Sequence, residues 1–423
     1  MKQITYIERL IFYDLRLHLE KPEISLITGA RQVGKTTLML KLQEYVRAQG
    51  KQTLFLSLDF EEDKQFFESQ RRLIERVQLE FGQSPGYVFI DEIQRQPDAG
   101  LFLKGIYDRG LPFKLVVSGS GSLELKEKIH ESLAGRKAVF EVLPVSFAEF
   151  VNFKTEYRYA SRLTEYFRLE TAAAAGWLEE YLHFGGYPAV ILGNSLADKK
   201  RTMNDIFTSY LEKDIAYLLK VNKTDDFSAL LKLLAVDTGK LLNVSELAGE
   251  LGISFPTVKK YLYYLEKTFT IKRLAPFTRN SRKEISKASV VYFADLGLRN
   301  YARGRFDDAA ASDGFAFQNF IFNMLYEKYR QSPVTLHFWR TKDKAEVDFI
   351  LSRGNAVVPL EVKYRSGHKA NAGKSLYSFI ERYRPTAAYV VARDAPPAST
   401  NLARDKRVRG LPYWRVWFDE LIA

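Results

Sequence analysis

The 423-residue sequence contains no cysteine. A disulfide framework is therefore excluded, and with it every cysteine-ligated zinc or iron–sulfur centre. Histidine is scarce, and His18, His130, His183, His337 and His368 stand too far apart for the paired spacing of a histidine metal site. No run of about 18 uninterrupted apolar residues occurs, so no membrane-spanning helix and no membrane partner are expected. The first twenty residues carry charges throughout their apolar run, unlike a signal or transit peptide, and a cytoplasmic location is the expectation. What is present is ordinary for folded protein: 46% hydrophobic and 27% charged residues, enough for several cores and incompatible with global disorder. The length suggests about three domains. The formal net charge of +12 suits nucleic acid or an acidic surface and decides nothing alone.

Residues 29–37 read GARQVGKTT, the G-x-x-x-x-G-K-[ST] phosphate loop, made of Gly29, Ala30, Arg31, Gln32, Val33, Gly34, Lys35, Thr36 and Thr37. An apolar stretch, 23–28, precedes it as a strand, and 38–46 follows as a helix. Glycines let backbone N–H groups wrap phosphates, and the helix N-terminus adds positive potential. In this pattern Lys35 bridges the β- and γ-phosphates of ATP, and Thr36 holds Mg²⁺. A second apolar strand ends in adjacent carboxylates, Asp91 and Glu92. Asp91 is the candidate for the Mg²⁺ shell and Glu92 for polarising the attacking water. Adjacent strand residues face opposite ways, so both roles are most easily met where the strand ends and the chain turns. A strand over 53–59 separates the two motifs, and another over 114–120 carries Ser118 and Ser120, where the resemblance of this segment to AAA+ ATPases implies a polar residue that senses the γ-phosphate.

GARQVGKTT, YVFIDE, VSGSGSLEL, SLAGR (132–136) and LPVSFAEF (143–150) together resemble an AAA-type ATPase family widespread in bacteria and archaea. Its members carry a winged-helix segment and a C-terminal domain long described as of unknown function. The resemblance implies an α/β fold with a P-loop core, a parallel sheet with helices on both faces. It implies a helical lid, a winged helix and a C-terminal α/β domain beyond that core. It also makes Arg136 the candidate arginine finger, since a guanidinium neutralises charge on a transferring phosphoryl group. Such proteins complete their sites with a neighbour's arginine, so a homo-oligomeric ring, commonly a hexamer, is implied. The corresponding domains are 1–155 (ATPase core), 156–225 (lid), 226–294 (winged helix) and 295–423 (C-terminal domain).

Within the lid, Phe184-Gly-Gly-Tyr-Pro188 is a turn signal. In the third domain Asn243 and Ser254 each read as an N-cap, with Pro256 in the first turn of the second helix, followed by strands at 269–274 and 290–293. Helix, turn, helix and strand pair is the winged-helix order. Residues 256–290 contain nine Lys or Arg against two Glu, a net +7. Such clustering is the footprint of phosphate-backbone binding, equally of a solvated face on a protein-docking module. Lys259, Lys260, Lys272, Arg273, Arg279, Arg282 and Lys283 are the candidate DNA contacts, with no base-specific readout expected.

From 312 onward the pattern reads helix, strand, hairpin, helix, strand, the order of the PD-(D/E)XK nuclease-like superfamily. Asp348 lies on the first hairpin arm. Glu361 and Lys363, two apart on the second, share a face. Asp348 and Glu361 can converge on a divalent cation, and Lys363 can steady a metal-bound water or the scissile phosphate. One departure stands out: where many relatives carry Glu on the first helix, this sequence has Gln318, a neutral and weaker ligand. The domain is thus either a metal-dependent nuclease or an inactive fold kept for binding. The basic stretch 404–410 extends the DNA surface or is a solvated loop. The whole reads as an ATP-hydrolysing protein that remodels or processes DNA, recognising structure, branched forms included, rather than sequence. The alternative is a nucleotide-switched signalling or protein-remodelling ATPase with an inactive C-terminal domain.

Overall fold

The computed structural model describes residues 6–120, 132–215, 225–278, 288–308, 313–364, 372–393 and 407–422. Its first sheet is built from β1 (Ile24–Gly29), β2 (Gln52–Ser57), β3 (Gly86–Asp91), β4 (Phe113–Ser120) and β5 (Lys137–Val142). The order is β2-β3-β4-β1-β5, and every pairing is parallel. β1 and β3 are buried along their whole length, as strands covered on both faces must be. One face packs on the helix Lys35–Ala48 through Leu38, Met39, Leu42 and Val46. The other packs on the helices Gln70–Phe81 and Ala99–Tyr107. This is the P-loop NTPase architecture, with the phosphate loop at the C-terminal end of β1, between β4 and β5.

A capping box opens the next region: Ser146 accepts from Glu149 N, and Glu149 returns a bond to Ser146 N. Helices Leu163–Leu169, Thr171–Phe184, Pro188–Ile191 and Leu196–Ser209 follow. Helices Asp225–Val236, Val244–Leu251 and Phe255–Lys267 then pack with β6 (Ile271–Leu274) and β7 (Val290–Phe293) around Leu230, Leu262, Leu265 and Phe293. Asn243 and Ser254 cap the second and third of these helices, and β6 and β7 pair antiparallel.

The last region runs helix Gly314–Tyr329, β8 (Thr335–Arg340), β9 (Glu346–Arg353), β10 (Ala356–Lys363), helix Lys374–Tyr383, β11 (Ala388–Ala392) and β12 (Val408–Pro412). The sheet order is β12-β11-β10-β9-β8. The basic stretch near 404–410 is therefore not simply a loop, because Val408 begins an edge strand parallel to β11; residues 404–406 lie outside the described residues. This region does not hang from a linker. Phe147 meets Phe320 edge-on at 5.3 Å, and Phe167 stacks on Trp414 at 5.9 Å, so one aromatic core joins it to the flank of the ATPase sheet.

Candidate functional site

β1 ends at Gly29, where a Cβ would lie 2.3 Å from the Val142 carbonyl oxygen, so only glycine lets β5 run this close. The loop turns through Gln32 (φ 60°) and Gly34 (φ 93°) into the helix Lys35–Ala48. Lys35 is buried, and its Nζ donates to the carbonyls of Gly29 (3.2 Å) and Ala30 (2.8 Å). Thr36 Oγ1 donates to Asp91 Oδ2 at 2.8 Å. Ser118, on the neighbouring strand, donates to the other oxygen, Asp91 Oδ1, and accepts from Glu92 N at 3.3 Å. Ser120 Oγ is buried and has no hydrogen-bond partner among the described residues.

Glu92 resolves the problem of two adjacent carboxylates by leaving the strand in a left-handed conformation (φ 56°, ψ 41°). Its carboxylate accepts from Gln94 Nε2, and Gln94 Oε1 in turn accepts from Ser120 N at 3.1 Å. Burial pushes the Glu92 carboxyl above its ordinary value; Asp91 adds to this, while Lys35, Gln94 and Arg31 oppose it. A hydroxyl and a carboxylate on facing elements suit Mg²⁺ carried in on nucleotide phosphates, which needs only one or two protein carboxylates. Thr36 and Asp91 fit that ion.

The cleft encloses about 500 Å³ above the phosphate loop, roofed by Tyr6, Ile7, Pro188, Ala189, Leu192 and Ser209. None of these was singled out from sequence as a cleft residue, since they come from opposite ends of the ATPase region. Arg9 was also missed. Its guanidinium is buried, donates to Val33 O (3.0 Å) and Leu143 O (2.6 Å), and pairs with Glu149 at 3.1 Å, which ties the phosphate loop to the capping box.

Arg136 lies at the other end of the sheet. Its backbone carbonyl accepts from Ile24 N, at the start of β1, and its guanidinium pairs with Asp108 at 2.6 Å. It does not face the phosphate loop of its own chain.

Of the basic candidates, Lys259 and Lys260 are exposed on the helix Phe255–Lys267, with Lys259 Nζ 4.6 Å from the Phe255 ring centre. Lys272 is a correction. It is turned inward, pairing with Glu141 at 2.8 Å and donating to Tyr326 Oη at 2.7 Å, because its strand is wedged between β5 and the helix Gly314–Tyr329. Arg273 is spent on an ion pair with Glu266. Arg279, Arg282 and Lys283 lie outside the described residues.

In the C-terminal domain the structure brings Gln318, Asp348, Glu361 and Lys363 together. Asp348 Oδ1 accepts from Gln318 Nε2 (2.8 Å) and Oδ2 from Val362 N (2.7 Å). Glu361 Oε1 pairs with Lys363 Nζ (2.5 Å), and Oε2 accepts from Gly373 N (2.9 Å). Each carboxylate oxygen is thus engaged from within the domain. Burial lifts the Asp348 carboxyl to about 7, with Glu361 and Glu346 adding and Val362 N and Lys363 opposing. Glu346 is held by Arg340 at 3.0 Å. Among the described residues no group of three acidic or histidine side chains is arranged to hold a metal. As arranged, Gln318 Nε2 occupies the Asp348 oxygen that the expected cation would need, so a divalent cation on Asp348 and Glu361 would have to displace that amide.

Residues 21–151, which include all five strands of the N-terminal sheet, match the family described as AAA domain. Residues 176–309 and 313–409 match two families each described as a domain of unknown function, DUF8612 and DUF4143. An uncharacterized protein of Mycobacterium tuberculosis is 28% identical over 358 residues, 83% of this chain and 73% of that protein. One of Haemophilus influenzae is 24% identical over 377 residues, 85% of this chain and 87% of its own length. Among solved structures, the Aeropyrum pernix ORC1 protein in complex with DNA aligns over 73% of this chain and 93% of its own, at 14% identity and a TM-score of 0.28. The replication initiator DnaA bound to AMPPCP and single-stranded DNA aligns over 72% and 96%, at 13% and 0.29.

Proposed function

We propose that the protein binds ATP with Mg²⁺, hydrolyses it, and couples hydrolysis to work on DNA. The observation that carries this reading is the convergence of Lys35, Thr36, Asp91, Ser118 and Glu92 at one edge of a parallel sheet. The amides of the loop and the N-terminus of the helix Lys35–Ala48 bind the phosphates, and Lys35 adds a full charge. Thr36 and Asp91 would hold Mg²⁺, which offsets charge on the transferring phosphoryl group when bound. Glu92, ionised, orients the attacking water and takes its proton. Ser118 is committed to Asp91, so Ser120, whose hydroxyl has no partner among the described residues, is the residue assigned to the γ-phosphate. Arg136 faces away from its own cleft and would serve a neighbouring copy's in a ring. Lys35→Ala should abolish hydrolysis; undiminished turnover would sink the assignment.

Lys259 and Lys260 supply the DNA contact in this reading, and the C-terminal domain, with its engaged carboxylates, contributes binding surface rather than cutting. One observation favours a second reading, a protein-remodelling ATPase: Lys272 and Arg273 have internal partners, which thins the basic face. The rate of ATP hydrolysis with and without duplex DNA separates the two, since only the first reading expects stimulation.

A further inference from the structure

The roof of the cleft is set by a turn that a carboxylate 109 positions away in sequence holds in place. Gly185 ends the helix Thr171–Phe184 at φ 73° and ψ −160°. A Cβ on Gly185 would lie 2.5 Å from both carboxylate oxygens of Asp295, so the turn and this carboxylate are in direct contact. Gly186 N donates to Asp295 Oδ2 at 2.6 Å, and Gly186 O accepts from Val145 N at 2.7 Å. Two residues on, Pro188 hangs over the phosphate loop, its Cγ 3.8 Å from where a Cβ of Gly34 would be.

Asp295 is fully buried, and its other oxygen accepts from Leu298 N at 2.8 Å, capping the helix Leu296–Ala302. That helix is bolted to the lid at its far end, where Asn300 Nδ2 donates to the carbonyls of Leu182 and His183, both at 2.9 Å. At its near end it continues directly from β7, and Ala294 N donates to Thr270 O across the strand pair. The strand pair belongs to the same small core as the helix bearing Lys259 and Lys260. One carboxylate therefore touches the nucleotide roof with one oxygen and the base of the basic unit with the other.

We propose that Asp295 is a positioning residue that holds Pro188 and its neighbours over bound nucleotide, and that transmits the state of the cleft to the Lys259–Lys260 unit. This rests on the ATP-binding reading above. Asp295 touches no reacting atom; it acts through Gly186. Binding of nucleotide beneath the roof and rearrangement of the 290–302 segment are then linked, and linkage is reciprocal, so DNA on the basic unit alters nucleotide affinity.

Asp295→Ser is the informative variant. Serine caps a helix as well as aspartate does but is too short to reach both Leu298 N and Gly186 N. With the full chain, affinity for a fluorescent ATP analogue and steady-state hydrolysis would be measured with and without duplex DNA. Expected are a rise in Kd and KM of about tenfold, a kcat within about twofold of wild type, and loss of any effect of DNA on nucleotide affinity. A variant that melts cooperatively and binds nucleotide as wild type does would overturn the proposal. Amide exchange in the wild-type chain gives a reading independent of how the variant folds: saturating nucleotide should slow exchange at Gly186 and along 296–302, and unchanged exchange there overturns the proposal as well. Wild type that takes up no nucleotide, while Lys35→Ala behaves identically, would instead sink the ATPase reading itself.

Discussion

Lys272 and Glu141 stand 131 positions apart in sequence and 2.8 Å apart in space. The contact joins β6 to the edge strand of the ATPase sheet, with Tyr326 of the C-terminal domain as a third partner. Removing Lys272 strands a half-buried carboxylate, although Arg330, 3.6 Å from the same Glu141, softens the loss. Lys272→Ala should lower stability by on the order of 2 kcal/mol, less than the roughly 3–5 of a fully enclosed pair. A shifted denaturant midpoint would show this, and the salt dependence of DNA binding should not change.

The exposed lysines should behave in the opposite way. Replacing Lys259 and Lys260 by alanine should leave the melting temperature in place. It should weaken DNA binding across sequences and reduce the slope of log K against log salt by about two. An unchanged slope would count against the helix Phe255–Lys267 as the DNA surface.

Glu92 must be ionised to accept a proton, and burial holds its carboxyl above the ordinary range. The acid limb of kcat should therefore fall at a higher pH than for a solvent-exposed glutamate. Gln94 donates to the ionised form and opposes the shift. Gln94→Ala should move the limb to still higher pH, and a pH–rate profile that moves down or stays put would contradict this. Glu92→Gln should retain nucleotide binding while losing about a hundredfold or more in kcat.

In the C-terminal domain, Asp348 titrates at about 7 when folded, against an ordinary 3.8. A raised carboxyl pKa favours the folded state at low pH, fully so below the ordinary value. That contribution is lost as pH climbs through about 7. Asp348→Asn should flatten this part of the stability curve, measured as melting temperature against pH. Gln318→Glu should set a third carboxylate against Asp348, lowering the melting temperature at pH 8 and allowing Mn²⁺ to restore it. Wild type should show no such Mn²⁺ response and should cut no duplex, forked or four-way DNA; cutting abolished by Lys363→Ala would refute this.

Much of the candidate site was legible because its chemistry is local. Gly29 to Thr37 is a continuous segment whose backbone turn needs those glycines wherever it occurs, and Asp91 and Glu92 end a strand whose apolar run is plain. The hairpin that carries Asp348, Glu361 and Lys363 follows from strand alternation. Lys272 was misassigned because a count of charges says nothing about which side of a four-residue strand meets another domain. Ser118 and Ser120 share a face by alternation, and only the hydrogen bond from Ser118 to Asp91 distinguishes them. Arg9 and Asp295 carried no motif at all, and Glu149 and Pro188 stood in quoted motifs that gave them no role, since each matters through a partner far away in sequence.

The sequence by itself determined the local machinery: a phosphate loop between strand and helix, the paired carboxylates, the caps of the helices, and an order of strands that admits few sheets. Backbone geometry and hydrophobic period act over a few residues, so a few residues suffice to read them. Tertiary structure alone decided that Lys272 is a strut, that the Asp348 and Glu361 carboxylates are engaged by Gln318, Val362, Lys363 and Gly373, and that Gly186 hangs from Asp295. Those outcomes depend on which buried groups meet once the domains close on one another, where most polar atoms withdrawn from water find a partner.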